Sequence, residues 1–139
     1  MKGNTIVTWG ARVSGVLLIL CTIPHYFIGL PEVVLKPAAE GLISDPDTAK
    51  SFYAIWIFSS ITMFMTGATL LIISTELKRL NKSAWRVALL LSAGIGIFGL
   101  SMMIRVPEAA AHMSLFLIIG LITLVPALIF FGSFNGAGE

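Results

Sequence analysis

His25 is the first residue in this chain whose type and setting suggest chemistry. It sits inside a long apolar run, where an ionisable side chain is costly and is a functional candidate by default. Further along, Arg105, Glu108 and His112 cluster between two other apolar runs. If a helix starts at Pro107, Glu108 and His112 share one face, and Glu108 favours the positive helix end. Two histidines and a carboxylate are competent to bind zinc or another divalent metal, so His25, Glu108 and His112 form a candidate metal set. Paired histidines would also ligate haem, but only at equal depth on facing helices, and His112 reads as the shallower of the two. A third chemistry is recognition. Arg105 and His25, beneath an aromatic rim of Tyr26 and Trp56, would hold a polar head while the bundle holds an apolar tail. The candidate ligand-binding residues are therefore His25, Tyr26, Trp56, Arg105, Glu108 and His112, with Glu32 nearby. Each has a plainer alternative: a neutral histidine bonded to a carbonyl or hydroxyl, and a solvated turn with an interfacial salt bridge.

Other chemistries find no support. The chain has no Gly-rich phosphate loop, no HExxH and no serine in a nucleophile elbow, so the sequence identifies no catalytic residue and no cofactor. No acidic residue stands at the middle of an apolar run, where a small proton-coupled exporter would need one. A net charge of +2, in short clusters, suits headgroup contact better than nucleic acid. Cys21 is the single cysteine and reads as a small apolar core residue. Leu20 before it is too large for a lipoprotein signal. The first apolar run is too long, and lacks the small-residue site, for a cleaved secretory signal.

The elements that must position these residues follow from composition. The chain is 57% hydrophobic and 12% charged, about half the charge content of ordinary soluble domains. Four runs are long enough to cross a bilayer, about 6–30, 52–75, 85–104 and 113–131. They are continuously apolar rather than alternating, which excludes a β-barrel reading. The expectation is an all-α integral membrane protein, a single domain over 1–139 built as a bundle of four transmembrane helices. Lys2, Arg12, Lys78, Arg79, Lys82 and Arg86 lie on one side. Lys36, Lys50 and Arg105 lie on the other, diluted by acids. Six basic residues against three place both termini in the cytoplasm. Trp9 and Trp85 then fall at the inner interface, and Trp56, Tyr53 and Tyr26 at the outer one. Residues 31–50 read as one long outer loop bounded by Pro31 and Pro46, with Asp45 capping the helix that follows. Residues 76–84 read as a short basic turn that forces spans two and three into an antiparallel hairpin. Pro24 and Pro126 should bend their helices. Ser60, Met63 and Gly67 in the second span, and Ser92, Gly96, Gly99 and Met103 in the third, form small-residue stripes expected to face protein; a homo-oligomer contact is the alternative.

The stretch Gly15 to Gly29, with His25 followed by Gly29, resembles the first helix of a family of small bacterial four-helix integral membrane proteins of unknown function. Asp45-Pro46-Asp47, the Phe52–Trp56 stretch and the basic turn extend the likeness over most of the chain. Where that family has a small or hydroxyl residue after the histidine, this chain has Tyr26, which would narrow any cavity. There is a looser likeness to DoxX-type membrane proteins, some of which are tied to quinone-linked oxidation. The resemblance implies fold and a multi-pass location in the bacterial inner membrane, and no activity. The residues themselves lean toward a non-catalytic protein binding a lipid-like or quinone-like ligand, or a partner helix, through an outward-facing polar pocket around His25. The partners expected are the bilayer and either further copies or another membrane protein. A metal-dependent enzyme or haem protein using His25, Glu108 and His112 is the alternative, and a small transporter comes third.

Overall fold

The computed structural model describes residues 3–135, and these are helical almost throughout, with no strand among them. Helix α1 runs Gly3–Ala39, α2 Pro46–Lys78, α3 Lys82–Arg105 and α4 Pro107–Ile129. Each is long and apolar enough to cross a membrane. A short α5, Phe131–Asn135, follows. Large apolar side chains stand exposed on all four long helices, among them Phe27, Phe58, Leu90 and Leu128. No soluble monomer presents apolar surface on this scale, so hydrocarbon is the solvent of these faces. Lys2 and residues 136–139 lie outside the described residues.

The small-residue stripes decide how the helices pair. Gly15 of α1 and Gly67 of α2 meet face to face: a Cβ on either would lie 2.7 Å from the other's carbonyl oxygen. Gly120 of α4 is equally close to α3, where its Cβ would lie 2.6 Å from the Gly96 nitrogen. Ser60, Gly67, Ser92, Gly96 and Gly99 are all buried, as protein-facing stripes should be, and Met63 and Met103 are half-buried. Thus α1 packs most closely on α2, and α3 on α4, with α1 also against α4. Helices α2 and α3, though joined by the shortest turn, touch much less. Lipid tails are as apolar as leucine, so close backbone approach, rather than water exclusion, holds these pairs.

That turn covers Arg79–Asn81. The Asn81 N–H reaches the Glu76 carbonyl and the Leu80 N–H the Leu77 carbonyl, closing α2 as a Schellman motif with Leu80 in the left-handed region (φ 61°). Asn81 then caps α3 by accepting from the N–H groups of Ser83 and Ala84. At the other end of α2, Asp45 accepts from the N–H groups of Asp47 and Thr48, with Pro46 in the first turn.

Two expectations are corrected. Residues 31–50 are not one long loop: α1 continues to Ala39 and α2 begins at Pro46, leaving 40–45 outside helix. The chain passes Pro31 by widening. Pro31 has no N–H and its ring would collide with the Phe27 carbonyl in an α-helix. Residues His25–Leu35 are instead π-helical, as the Lys36 N–H to Pro31 carbonyl bond shows. Leu30 and Val34, one turn apart and buried, give this extension a face to bury. Trp85, read as an interfacial residue, is buried. Its indole donates to the Ala127 carbonyl (3.0 Å), which lies too near the end of α4 to keep a helical partner.

Candidate functional site

His25 opens the π segment, and three residues define its surroundings. Its ring lies flat on the indole of Trp56, with centroids 4.4 Å apart and planes 10° from parallel. Its Nδ1 is 2.8 Å from Ser60 Oγ. The Trp56 Nε1–H donates to the His25 backbone carbonyl at 2.8 Å. Gly29, one turn on, makes room: a Cβ there would lie 2.6 Å from the indole edge. The station is thus two i,i+4 pairs interlocked across the α1–α2 seam, His25 and Gly29 against Trp56 and Ser60.

The tautomer of the ring turns on the one hydroxyl hydrogen of Ser60. Given to the Trp56 carbonyl at 2.9 Å, which also takes the Ser59 hydroxyl at 2.8 Å, it leaves the Ser60 oxygen to accept from a protonated Nδ1; given to Nδ1, it leaves the proton on Nε2. In either case Nε2 makes no hydrogen bond within the described residues. No buried side-chain nitrogen or oxygen among them lacks a partner, so Nε2 opens on the surface of the bundle. The plainer alternative for His25, a bond to a hydroxyl, is therefore met at Nδ1 and leaves Nε2 unaccounted for.

Depth follows from the charges that bracket it. Between Arg12 and Glu32 α1 carries no other charged residue. That length matches the roughly 20 residues of a hydrocarbon crossing. His25 lies seven residues short of Glu32, less than about 10 Å along the axis, because the wider π turns rise less per residue than an α-helix.

The other candidates are placed apart from this station. Tyr26 is exposed and meets Phe27 edge-on, with centroids 5.2 Å apart. Glu32 pairs with Lys36 at 3.6 Å. Arg105 ends α3; Glu108 lies in a 3-10 turn, Pro107–Ala109, that opens α4; His112 follows on α4. All three are exposed. None takes part in an ion pair among the described residues, where the pairs are Glu32–Lys36, Asp47–Lys50 and Glu76–Arg79. The interfacial salt bridge expected at this turn does not form. Nor do His25, Glu108 and His112 gather: among the described residues no three His, Cys, Asp or Glu side chains come together as metal ligands would. The reason is the pairing of the helices. The π segment carrying His25 packs on α2, whereas residues 105–112 belong to the α3–α4 pair.

Sequence reasoning paired Gly29 with His25 as part of a motif and placed Ser60 in a packing stripe, without joining Ser60 to His25. The signal that joins them is spacing, since Trp56 and Ser60 repeat the interval of His25 and Gly29. No family model, curated protein or solved structure matches this chain.

Proposed function

We propose that this chain is a non-catalytic membrane protein that binds the polar head of a lipid-like or quinone-like molecule at His25. One observation carries the reading. The imidazole is fixed by a stacked indole and a hydroxyl, yet one ring nitrogen is open to the surface within the membrane-spanning length of α1. A ring held this way is preorganised, so little freedom is lost on binding. With the Ser60 hydrogen on the Trp56 carbonyl, the arrangement this reading takes, Nδ1 is protonated and the open nitrogen accepts a hydrogen, so the head it suits carries a hydroxyl, as a quinol does. A quinone offers only carbonyl acceptors and suits it less. The apolar faces of α1 and α2 give the tail its solvent. The excess of basic residues on one side supports cytoplasmic termini in a bacterial inner membrane, with His25 in the outer half.

The test uses decyl-hydroquinol, kept reduced, titrated into the purified protein in micelles and followed by calorimetry. Saturable binding is expected, weaker for the oxidised form and lost in His25→Ala. Equal binding by His25→Ala, with its helix content intact, would overturn the reading.

A further inference from the structure

At the opposite end of the same seam, Arg12 is held as firmly as His25 and is equally incomplete. Its Nε donates to Ser74 Oγ at 3.1 Å. Ser74 gives its own hydrogen to the Leu71 carbonyl at 2.7 Å, so its oxygen is free to accept. The guanidinium carbon stands 5.6 Å from the centre of the Trp9 ring. Ser74 and Trp9 together fix the plane of the fork. The terminal nitrogens Nη1 and Nη2 make no hydrogen bond among the described residues and are not buried. No carboxylate among the described residues pairs with Arg12.

The surroundings say what would complete it. Beside the guanidinium, the face of α1 carries a shallow, open hollow of about 220 Å³ between Trp9, Arg12, Val13, Val16 and Leu17. Lys78, Arg79, Lys82 and Arg86 stand exposed at the same end of the bundle. An oriented guanidinium fork matches two oxygens of a phosphate. An apolar hollow beside it, toward the membrane interior, matches an acyl chain. The basic neighbours favour a headgroup with net negative charge.

We infer that Arg12, with Trp9 and the hollow beside it, is a binding site for an anionic phospholipid at the basic end of the bundle. The phosphate takes the two free guanidinium nitrogens and one acyl chain lies along Val13, Val16 and Leu17. Ser74 is a positioning residue, acting through Arg12. The site is independent of the ligand proposed at His25.

The experiment is native mass spectrometry of the protein released from nanodiscs containing equal phosphatidylglycerol and phosphatidylcholine. The wild type is expected to retain phosphatidylglycerol over phosphatidylcholine by about fivefold, the order set by one basic contact. Arg12→Gln should bring the ratio near one. Ser74→Ala, which keeps the charge but frees its direction, should give an intermediate ratio, and it carries the test if Arg12→Gln melts early. His25→Ala should leave the ratio unchanged, which separates this site from the other. Millimolar inorganic phosphate should not displace the lipid. No preference in the wild type, an undiminished ratio in well-folded Arg12→Gln and Ser74→Ala, or displacement by free phosphate would each overturn the assignment.

Discussion

Two of the polar contacts that α1 makes with its neighbours are finished differently. In the first third of α1, Ser14 donates to the Ile119 carbonyl at 2.7 Å and accepts from the Thr123 hydroxyl at 2.9 Å. Both side chains are fully buried, and neither hydroxyl hydrogen is left over. Nearer the other end of α1, His25, Ser60 and Trp56 form a station of the same size in which Nε2 remains open. The first holds α1 to α4, and its closed network explains it. The second holds α1 to α2 and leaves a ring nitrogen facing outward without a partner. A polar group inside a membrane that structure alone has not satisfied is the one that asks for a ligand.

The contrast can be broken at several points. The largest effect is expected below the closed station, where Gly15 and Gly67 touch. Gly67→Leu puts atoms into the α1 backbone and should cost about 1–3 kcal/mol, the usual range for overfilled interiors. Loss of helicity on titration with a denaturing detergent measures it. Ser14→Ala comes next. It leaves the Thr123 hydroxyl without its acceptor and should cost roughly 1 kcal/mol, the scale of hydrogen bonds between membrane helices. Decyl-hydroquinol binding should not change. His25→Ala should show the reverse pattern, a stability loss of only about 0.6 kcal/mol and no binding. If Ser14→Ala abolished binding while His25→Ala did not, the two stations would have been assigned the wrong way round.

The smallest effect lies at the start of α2, the helix that carries Trp56 and Ser60. The Thr48 hydroxyl, with the Thr48 and Asp47 N–H groups, holds the Asp45 carboxyl below its ordinary value of 3.8. A lowered folded value means the ionised cap stabilises the helix end fully above that pH. The contribution is lost as pH falls through the folded value. Hydrogen-exchange protection factors at the Asp47 and Thr48 amides, taken relative to the intrinsic rate at each pH, should therefore fall in acid, and Asp45→Asn should remove that dependence while leaving protection at Ser14 and Thr123 unaltered.

Much of this architecture was legible in the residues. Four runs too apolar for water gave four helices. The small residues at Gly67, Ser92, Gly96 and Gly99 gave the faces that meet. Asp45 before Pro46 gave the start of α2. What could not be read was the behaviour of α1 beyond Pro31. A proline normally ends a helix. Continuation here depends on widening into π turns and on Leu30 and Val34 finding a partner in α2, which is tertiary information. Partner choice was hidden for the same reason. The short turn between α2 and α3 suggested that they pack together, yet glycine stripes paired α1 with α2 and α3 with α4. That choice separates His25 from Glu108 and His112, which composition alone had grouped.

The account rests on which nitrogen of His25 holds the hydrogen and what the other one does. Nitrogen-15 magnetic resonance of histidine-labelled protein in nanodiscs, with His112→Gln leaving one imidazole, reads both. The expected spectrum has Nδ1 protonated and Nε2 bare, with the Nε2 signal moving when decyl-hydroquinol is added. A proton on Nε2 with Nδ1 bare, or an Nε2 signal indifferent to the quinol, would contradict it.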